Sequence, residues 1–334
     1  MRILICGGAG FIGSHFTRIR LREHGDRVTV LDKLTYAGRE ENLRDLAGDP
    51  AFNFIHAAIE DAEAVRAAIE SAGAEAIVNF AAETHVDRSI SSSRDFVATN
   101  IVGTSVLLDA ALAHKLRYVQ VSTDEVYGSI EQGTFTEDSP LAPSSPYSAS
   151  KAAADLLVQS YARTHGLSAS IARGSNNYGP YQYPEKLIPL MVLNAMHGQR
   201  LPVYGDGLQV RNWIHVTDFA RAIACVLMEG APGEVYNAGG PDECPNIQVV
   251  RRIIELTGAG DDLIEHVRDR PGHDRRYSLS SGRVKELGWE PQVRFAEGIA
   301  ETVGWYRDNE WWWQPIRSGE YLDYYERQYG SALR

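Results

Sequence analysis

Cysteine is scarce in this chain, with three among 334 residues. Cys6, Cys225 and Cys244 are odd in number and form no CxxC pair, which argues against a disulfide framework and against a zinc site. That usage fits a reducing cytoplasm. No uninterrupted apolar run reaches the roughly 18 residues of a membrane span. The start, MRILICGGAG, passes straight into a strand pattern with no signal-peptide core. Positive charge is in deficit, 33 Lys and Arg against 44 Asp and Glu, for a formal net charge of -11. A nucleic-acid surface needs the opposite sign, so none is expected, whereas a nucleotide-sized ligand needs only a few local cations. Repeats and low-complexity tracts are missing as well. The sequence therefore predicts a cytoplasmic protein with no membrane, nucleic-acid or metal partner.

What is present is apolar material for a full core, 44% of residues. The length exceeds one compact domain and predicts two, or one large domain with a smaller lobe. In the first half, the short β-branched runs RILIC, RVTVLD, NFIHA, AIVNFAA, YVQVS and SASIARG alternate with helical patterns. Such alternation predicts an α/β fold, a Rossmann-type doubly wound parallel sheet. After about residue 175 the pattern loosens, and Pro and Gly cluster in YGPYQYP, LPVYGDG, AGGPDECP and RPGHD. Residues 1–175 are read as a dinucleotide-binding domain, with elements near 213–238 returning to it. Residues 176–334 are read mainly as a smaller, mixed α/β substrate domain. Trp311, Trp312 and Trp313 are expected to pack against the body or a subunit partner rather than to touch a ligand.

ICGGAGFIG spaces Gly7, Gly10 and Gly13 three apart, after a strand and before a helix. Glycines there let the backbone turn tightly against a pyrophosphate that the helix N-terminus attracts. Asp32, ending the second strand, stands where the dinucleotide fingerprint needs an acid for the ribose 2′-hydroxyl, which favours NAD over NADP. Read alone, it is equally a solvated loop acid beside Lys33. SPYSASK places Tyr147 and Lys151 on one face of a helix capped by Ser144 or Ser145. A nearby cation favours the phenolate, so Lys151 is expected to bring Tyr147 towards service as a base. STDEVYG ends an apolar strand on two acids, Asp124 and Glu125. Such a pair is either a structural feature at a helix start or a reactive site.

The glycine turn, Thr123 and Tyr147-x-x-x-Lys151 together resemble the extended short-chain dehydrogenase/reductase superfamily. Longer strings resemble one of its families, the dTDP-glucose 4,6-dehydratases: DKLTYAG, ETHVDRSI, STDEVYG, SNNYGPYQYPEKLIP, YGDGLQVRNWIHV and RPGHDRRYSL. The likeness runs to about residue 313. It implies NAD as cofactor and conversion of dTDP-glucose to dTDP-4-keto-6-deoxyglucose. In that chemistry C4 is oxidised, water leaves across C5–C6, and hydride returns to C6 from NADH. The implied catalytic residues are Thr123, Asp124, Glu125, Tyr147 and Lys151. Tyr147 takes the 4-hydroxyl proton with Thr123 bonded to the same oxygen, and Lys151 holds the nicotinamide ribose and the phenolate. Glu125 is the base at C5 and Asp124 the acid at the departing 6-hydroxyl. Elimination needs a base and an acid with separated tasks, which two environment-split carboxylates supply.

By the same resemblance the cofactor lies against Gly7, Gly10, Phe11, Ile12, Asp32, Lys33, Thr35, Gly38, Ile59, Ala81, Ala82 and Thr99, besides Tyr147 and Lys151. The nucleotide sugar falls to Thr123, Asn176, Lys186, Leu187, Pro202, Tyr204, Arg211, Asn246, Arg270 and His273. His85 is either near the sugar or a structural histidine. A homodimer through a four-helix contact is implied, with TSVLLDAALAHK and SKAAADLLVQSYART as the helices. Three positions depart from the family. Cys6 replaces threonine with little expected consequence, and Gly174 replaces a cysteine and is expected to loosen the strand end. Ala58 replaces an aspartate that bonds adenine, a loss of about 1 kcal/mol in NAD affinity. Rival activities on the same scaffold are a UDP-linked 4,6-dehydratase and an NAD-dependent 4-epimerase or decarboxylase. A dinucleotide sensor without turnover is a more distant alternative.

Overall fold

The computed structural model describes residues 1–318 together with Tyr325. Six parallel strands build the first sheet: β1 (Arg2–Cys6), β2 (Arg27–Asp32), β3 (Phe52–His56), β4 (Ala76–Asn79), β5 (Arg117–Thr123) and β6 (Ala169–Gly174). A later strand, β10 (Val235–Ala238), adds itself beside β6, giving the order β10-β6-β5-β4-β1-β2-β3. The central strands are buried almost end to end, because helices cover both faces of a parallel sheet. α1 (Phe11–Arg22) and α6 (Val216–Glu229) lie on one face. α2 (Ala62–Ala72), α3 (Arg94–Ala113) and α4 (Pro146–His165) cover the other. The order reverses between β1 and β4, so the crevice for a ligand opens at the carboxyl ends of those strands.

The second lobe is built from short strands and three helices, α5 (Leu187–Met196), α7 (Asn246–Thr257) and α8 (Phe295–Asp308). Its sheets are β11 (Asp242–Pro245), β9 (Val210–His215) and β7 (Asn176–Tyr178) in that order, and the pair β12 (Ile264–Val267) with β8 (Leu201–Tyr204). A separate core joins Met191, Val250, Ile299 and Trp312. β6 leads directly into β7, so one strand end bridges the two lobes at Ser175.

α3 is long and apolar enough to cross a membrane by length and composition. Here it is a core helix packed between α2 and α4, with Asn100 and Thr104 buried along it. Residues Val97–Gly103 of α3 are wound as a π-helix, a form that often marks functional sites. Asn100 uses both ends of its amide there, accepting from the Glu83 N–H at 2.9 Å and donating to the Ser150 hydroxyl at 2.8 Å.

Candidate active site

The cleft begins at the turn after β1. Gly7 has φ +76°, and a Cβ there would lie 2.4 Å from the Ala81 backbone nitrogen, so only glycine fits. The turn closes through the Gly10 N–H to the Gly7 carbonyl at 3.2 Å, and α1 starts without a side-chain cap. Its first N–H groups are thus left for an anion. Asp32 accepts from the Ala9 N–H on one oxygen and the Leu34 N–H on the other, both at 2.9 Å. Leu34 adopts a left-handed φ of 51°, unusual for a residue of its bulk. Lys33 reaches Thr99 at 2.7 Å and Glu60 at 3.2 Å, joining β2 to the π-helix. All residues expected to touch the cofactor border this one cleft, as do Thr123, Asp124 and Glu125.

β5 ends by delivering Thr123 into a single 3-10 turn, Asp124–Tyr127. The Thr123 hydroxyl caps that turn by accepting from the Glu125 N–H at 3.3 Å and donates to Asp124 at 3.2 Å. Asp124 is 1% exposed, and its second oxygen has no hydrogen-bond partner among the described residues. Burial first, then the neighbouring Glu125 charge, pushes its carboxyl up to about 8, so it carries a proton at neutral pH. Burial also raises Glu125, but Arg270, Lys186 and Arg211 oppose the shift. Asp124 is thereby suited to donate a proton, and the three cations favour the carboxylate form of Glu125.

α4 opens on a capping box in which Ser145 and Ser148 bond each other reciprocally, with Pro146 in the first turn. It brings Tyr147 and Lys151 to the cleft on one face. Tyr147 is buried, 8% exposed. Its phenol is pushed up, by burial above all and then by the Glu125 charge, while a hydrogen bond with Thr123 opposes. Lys151 donates to the Val121 carbonyl at 2.7 Å, and burial lowers it to about 8 against the pull of Asp155.

Beneath these residues lies a network that the sequence reading missed. Asp155 accepts from Ser122 at 3.0 Å and from Arg173 at 2.8 Å, both buried. Arg173 donates to the Tyr127 hydroxyl at 2.7 Å, which in turn donates to Asn237 at 2.9 Å. The bonds tie β5, β6, β10 and α4 to the turn that bears the acids. A charge inside a strand, Arg173 in ASIARG, was the available signal.

Basic groups gather at the other end. Asn176 and Lys186 border the cleft, and Lys186 donates to the Thr84 carbonyl at 3.0 Å. Arg211 is buried over the Tyr277 ring, 4.3 Å from its centroid, and donates to the Asp274 carbonyl. Arg270 sits 3.6 Å from Asp87, which also accepts from Tyr204 at 3.2 Å. His273 is held by Asp269 at 2.6 Å, and Asn246 opens α7 with a buried side-chain oxygen that has no partner among the described residues. Leu187 opens α5 and Pro202 lies in β8; neither borders the cleft, and nor do His85, Tyr204, Arg211, Asn246, Arg270 and His273. His85 is buried, accepts from the Arg88 N–H to cap Val86–Ser91, and lies 3.8 Å from Glu185. Burial keeps it neutral, and in this placement it serves the fold.

The model of the GDP-mannose 4,6 dehydratase family matches residues 4–302. A dTDP-glucose 4,6-dehydratase of Streptomyces niveus is 54% identical over 95% of this chain and 96% of its own. The chain belongs to this dehydratase family. Among solved structures, DesIV, a dTDP-glucose 4,6-dehydratase from Streptomyces venezuelae with NAD and TYD bound, is 51% identical with a TM-score of 0.92. The match covers 95% of this chain and 100% of that one. A UDP-glucose 4-epimerase of Thermus thermophilus in complex with NAD is more distant, 31% identical with a TM-score of 0.86 over 92% and 100% of the two chains.

Within the dehydratase family, the departures found in the sequence now have surroundings. Gly174 does not loosen β6. The Phe219 ring from α6 fills the space a side chain would take, with its carbon 2.5 Å from an added Cβ, and the strand stays buried to its end. Cys6 is a buried free thiol in the core under the sheet. Ala57 and Ile59 face the cleft, and Ala58 between them does not. Glu185, beside Lys186, is a further cleft acid that the sequence reading missed, 6% exposed, bonded to Arg88 at 3.2 Å and lifted by burial.

Proposed function

We propose that this protein converts dTDP-glucose to dTDP-4-keto-6-deoxyglucose with the loss of water. NAD is the cofactor this reading requires, and the residues present fit it. The Gly7 turn would hold the pyrophosphate, Asp32 the adenosine ribose, and Tyr147 with Lys151 the nicotinamide end. When bound, NAD takes a hydride from C4 of the sugar and returns it at C6. Tyr147, ionised to the phenolate, would receive the C4 hydroxyl proton, and Thr123 would hydrogen-bond the same sugar oxygen. The ketone then acidifies C5–H, and Glu125 removes that proton. Asp124 gives its proton to the C6 hydroxyl, which departs as water, and Glu125 finally returns a proton to C5. The cations Lys186, Arg211 and Arg270 suit a nucleoside diphosphate.

One observation carries this reading: the adjacent acids Asp124 and Glu125 share one cleft with Tyr147 and Lys151. An epimerase has no step that requires such a pair. The test is incubation with dTDP-glucose and, separately, UDP-glucose in D₂O. The expected product is a 6-deoxy-4-keto sugar with deuterium at C5, formed from the thymidine substrate. An epimerised hexose instead would refute the reading.

The same acid sets the pH dependence. Asp124 is a donor only below its pKa of about 8, so dehydration is expected to slow as pH rises through that value. A profile of the single-turnover rate should fall on the alkaline side. Asp124→Asn should remove that limb together with most of the rate. We also infer a homodimer through α3 and α4, where Val97, Val102 and Leu156 stand exposed.

A further inference from the structure

Trp312 lies in the core of the second lobe, yet its indole reaches the cofactor turn of the first. The Nε1–H donates to Asn42 Oδ1 at 2.7 Å, and the Asn42 amide donates in turn to the Ala9 carbonyl at 2.7 Å. Both side chains are 1% exposed. Ala9 stands between Gly7 and Gly10, and its own N–H is held by Asp32 at 2.9 Å. A chain of three bonds thus runs from the C-terminal segment to the acid that would hold the adenosine ribose.

Chemistry allows only one arrangement. A carbonyl can only accept and an indole N–H can only donate, so Asn42 satisfies both neighbours in a single amide orientation. The Ala9 carbonyl and the Gly10 N–H belong to one planar peptide, so pinning the former aims the latter. Gly10 N–H in turn closes the turn on Gly7 at 3.2 Å. Removing the indole donor leaves a buried oxygen unpaired and frees the amide to rotate, which would set its oxygen against the Ala9 carbonyl. Trp312 is itself fixed by edge contacts with Trp305 and Tyr181, whose ring centroids lie 5.1 Å and 5.7 Å away.

We propose that the Trp312 indole N–H is a positioning group for the dinucleotide, orienting Asn42 so that the Ala9–Gly10 peptide is preset for the pyrophosphate. Retention of NAD is thereby tied to docking of the C-terminal segment. The inference rests on the reading that this cleft holds NAD.

Trp313 supplies the control. It is as deeply buried, 4% exposed, but gives its N–H to the Tyr306 carbonyl in its own lobe at 2.7 Å. NAD and dTDP are titrated separately by calorimetry into the full chain and its variants. Trp312→Phe keeps a ring but loses the donor, and should bind NAD roughly tenfold more weakly with dTDP affinity unchanged. Trp313→Phe should lower the melting temperature and leave NAD affinity alone. Asn42→Ala should show the same NAD-selective loss, and adding Trp312→Phe to it should cost nothing more. Unchanged NAD affinity in Trp312→Phe, equal losses from both tryptophans, or additive losses in the double variant would overturn the proposal. If Trp312→Phe does not fold, Asn42→Ala with normal NAD affinity overturns it equally. A wild-type chain that binds no NAD would instead remove the cofactor reading beneath it.

Discussion

Glu125→Gln is expected to leave oxidation at C4 open and to slow dehydration by about 10²–10⁴-fold, the usual worth of a positioned general base. The amide has the shape of the acid but cannot take the C5 proton. Its charge also matters. The Glu125 carboxylate is the second largest cause, after burial, that raises the Tyr147 phenol. Replacing it with a neutral amide makes the phenolate easier to form, so the first step should be no slower. Oxidised sugar and reduced nicotinamide should therefore build up together. Rapid mixing with dTDP-glucose, followed by the near-ultraviolet absorbance of reduced nicotinamide, would show a rise that persists instead of decaying. A variant that dehydrates at the normal rate would remove Glu125 from the role of base.

The parts of this molecule that a sequence reader can see are those whose signal is local. β1, β2 and β4 announce themselves because a strand covered on both faces is apolar along most of its length, while β3, at the sheet edge, is only half-buried. The glycine turn, the acid pair and Tyr147 with Lys151 are each contained within a few residues. The second lobe is different. Its strands run from three to six residues, and their pairing joins segments far apart, as when Asp242 of β11 meets Trp213 of β9. The π-helical stretch of α3 has no periodic signature of its own, since its apolar positions read as an ordinary helix. Gly174 shows the same limit from another side. A looser strand end was expected from the sequence, and only the arrival of Phe219 from α6 reveals that the space is filled.

Fold and site also differ in how far they discriminate. An epimerase at 31% identity shares this backbone at a TM-score of 0.86, so the sheet and the glycine turn cannot separate dehydration from epimerisation. The separation rests on a four-residue turn. Its acids are held in place by the bonds among Asp155, Arg173 and Tyr127, and Arg270, Lys186 and Arg211 oppose the upward shift of Glu125. Burying two carboxylates side by side disfavours ionising both, and the Asp124 carboxyl is pushed up to about 8. A cost in stability is thereby turned into a proton available at neutral pH.

Tyr147→Phe carries the other large effect, and it acts earlier. Loss of the phenol oxygen should lower turnover by about 10²–10⁴-fold, because Tyr147 as the phenolate is the acceptor of the C4 hydroxyl proton. The ring itself remains, packed edge-on against Phe96 with centroids 6.3 Å apart, so the fold and the affinities for NAD and dTDP should hold. The signature differs from that of Glu125→Gln: no reduced nicotinamide should appear on mixing with substrate. Combining the two substitutions fixes their order. If Tyr147 serves oxidation and Glu125 the later elimination, the double variant should behave as Tyr147→Phe alone, with no absorbance rise. A double variant that still accumulates reduced nicotinamide would show that the C4 proton leaves by a route independent of the phenol.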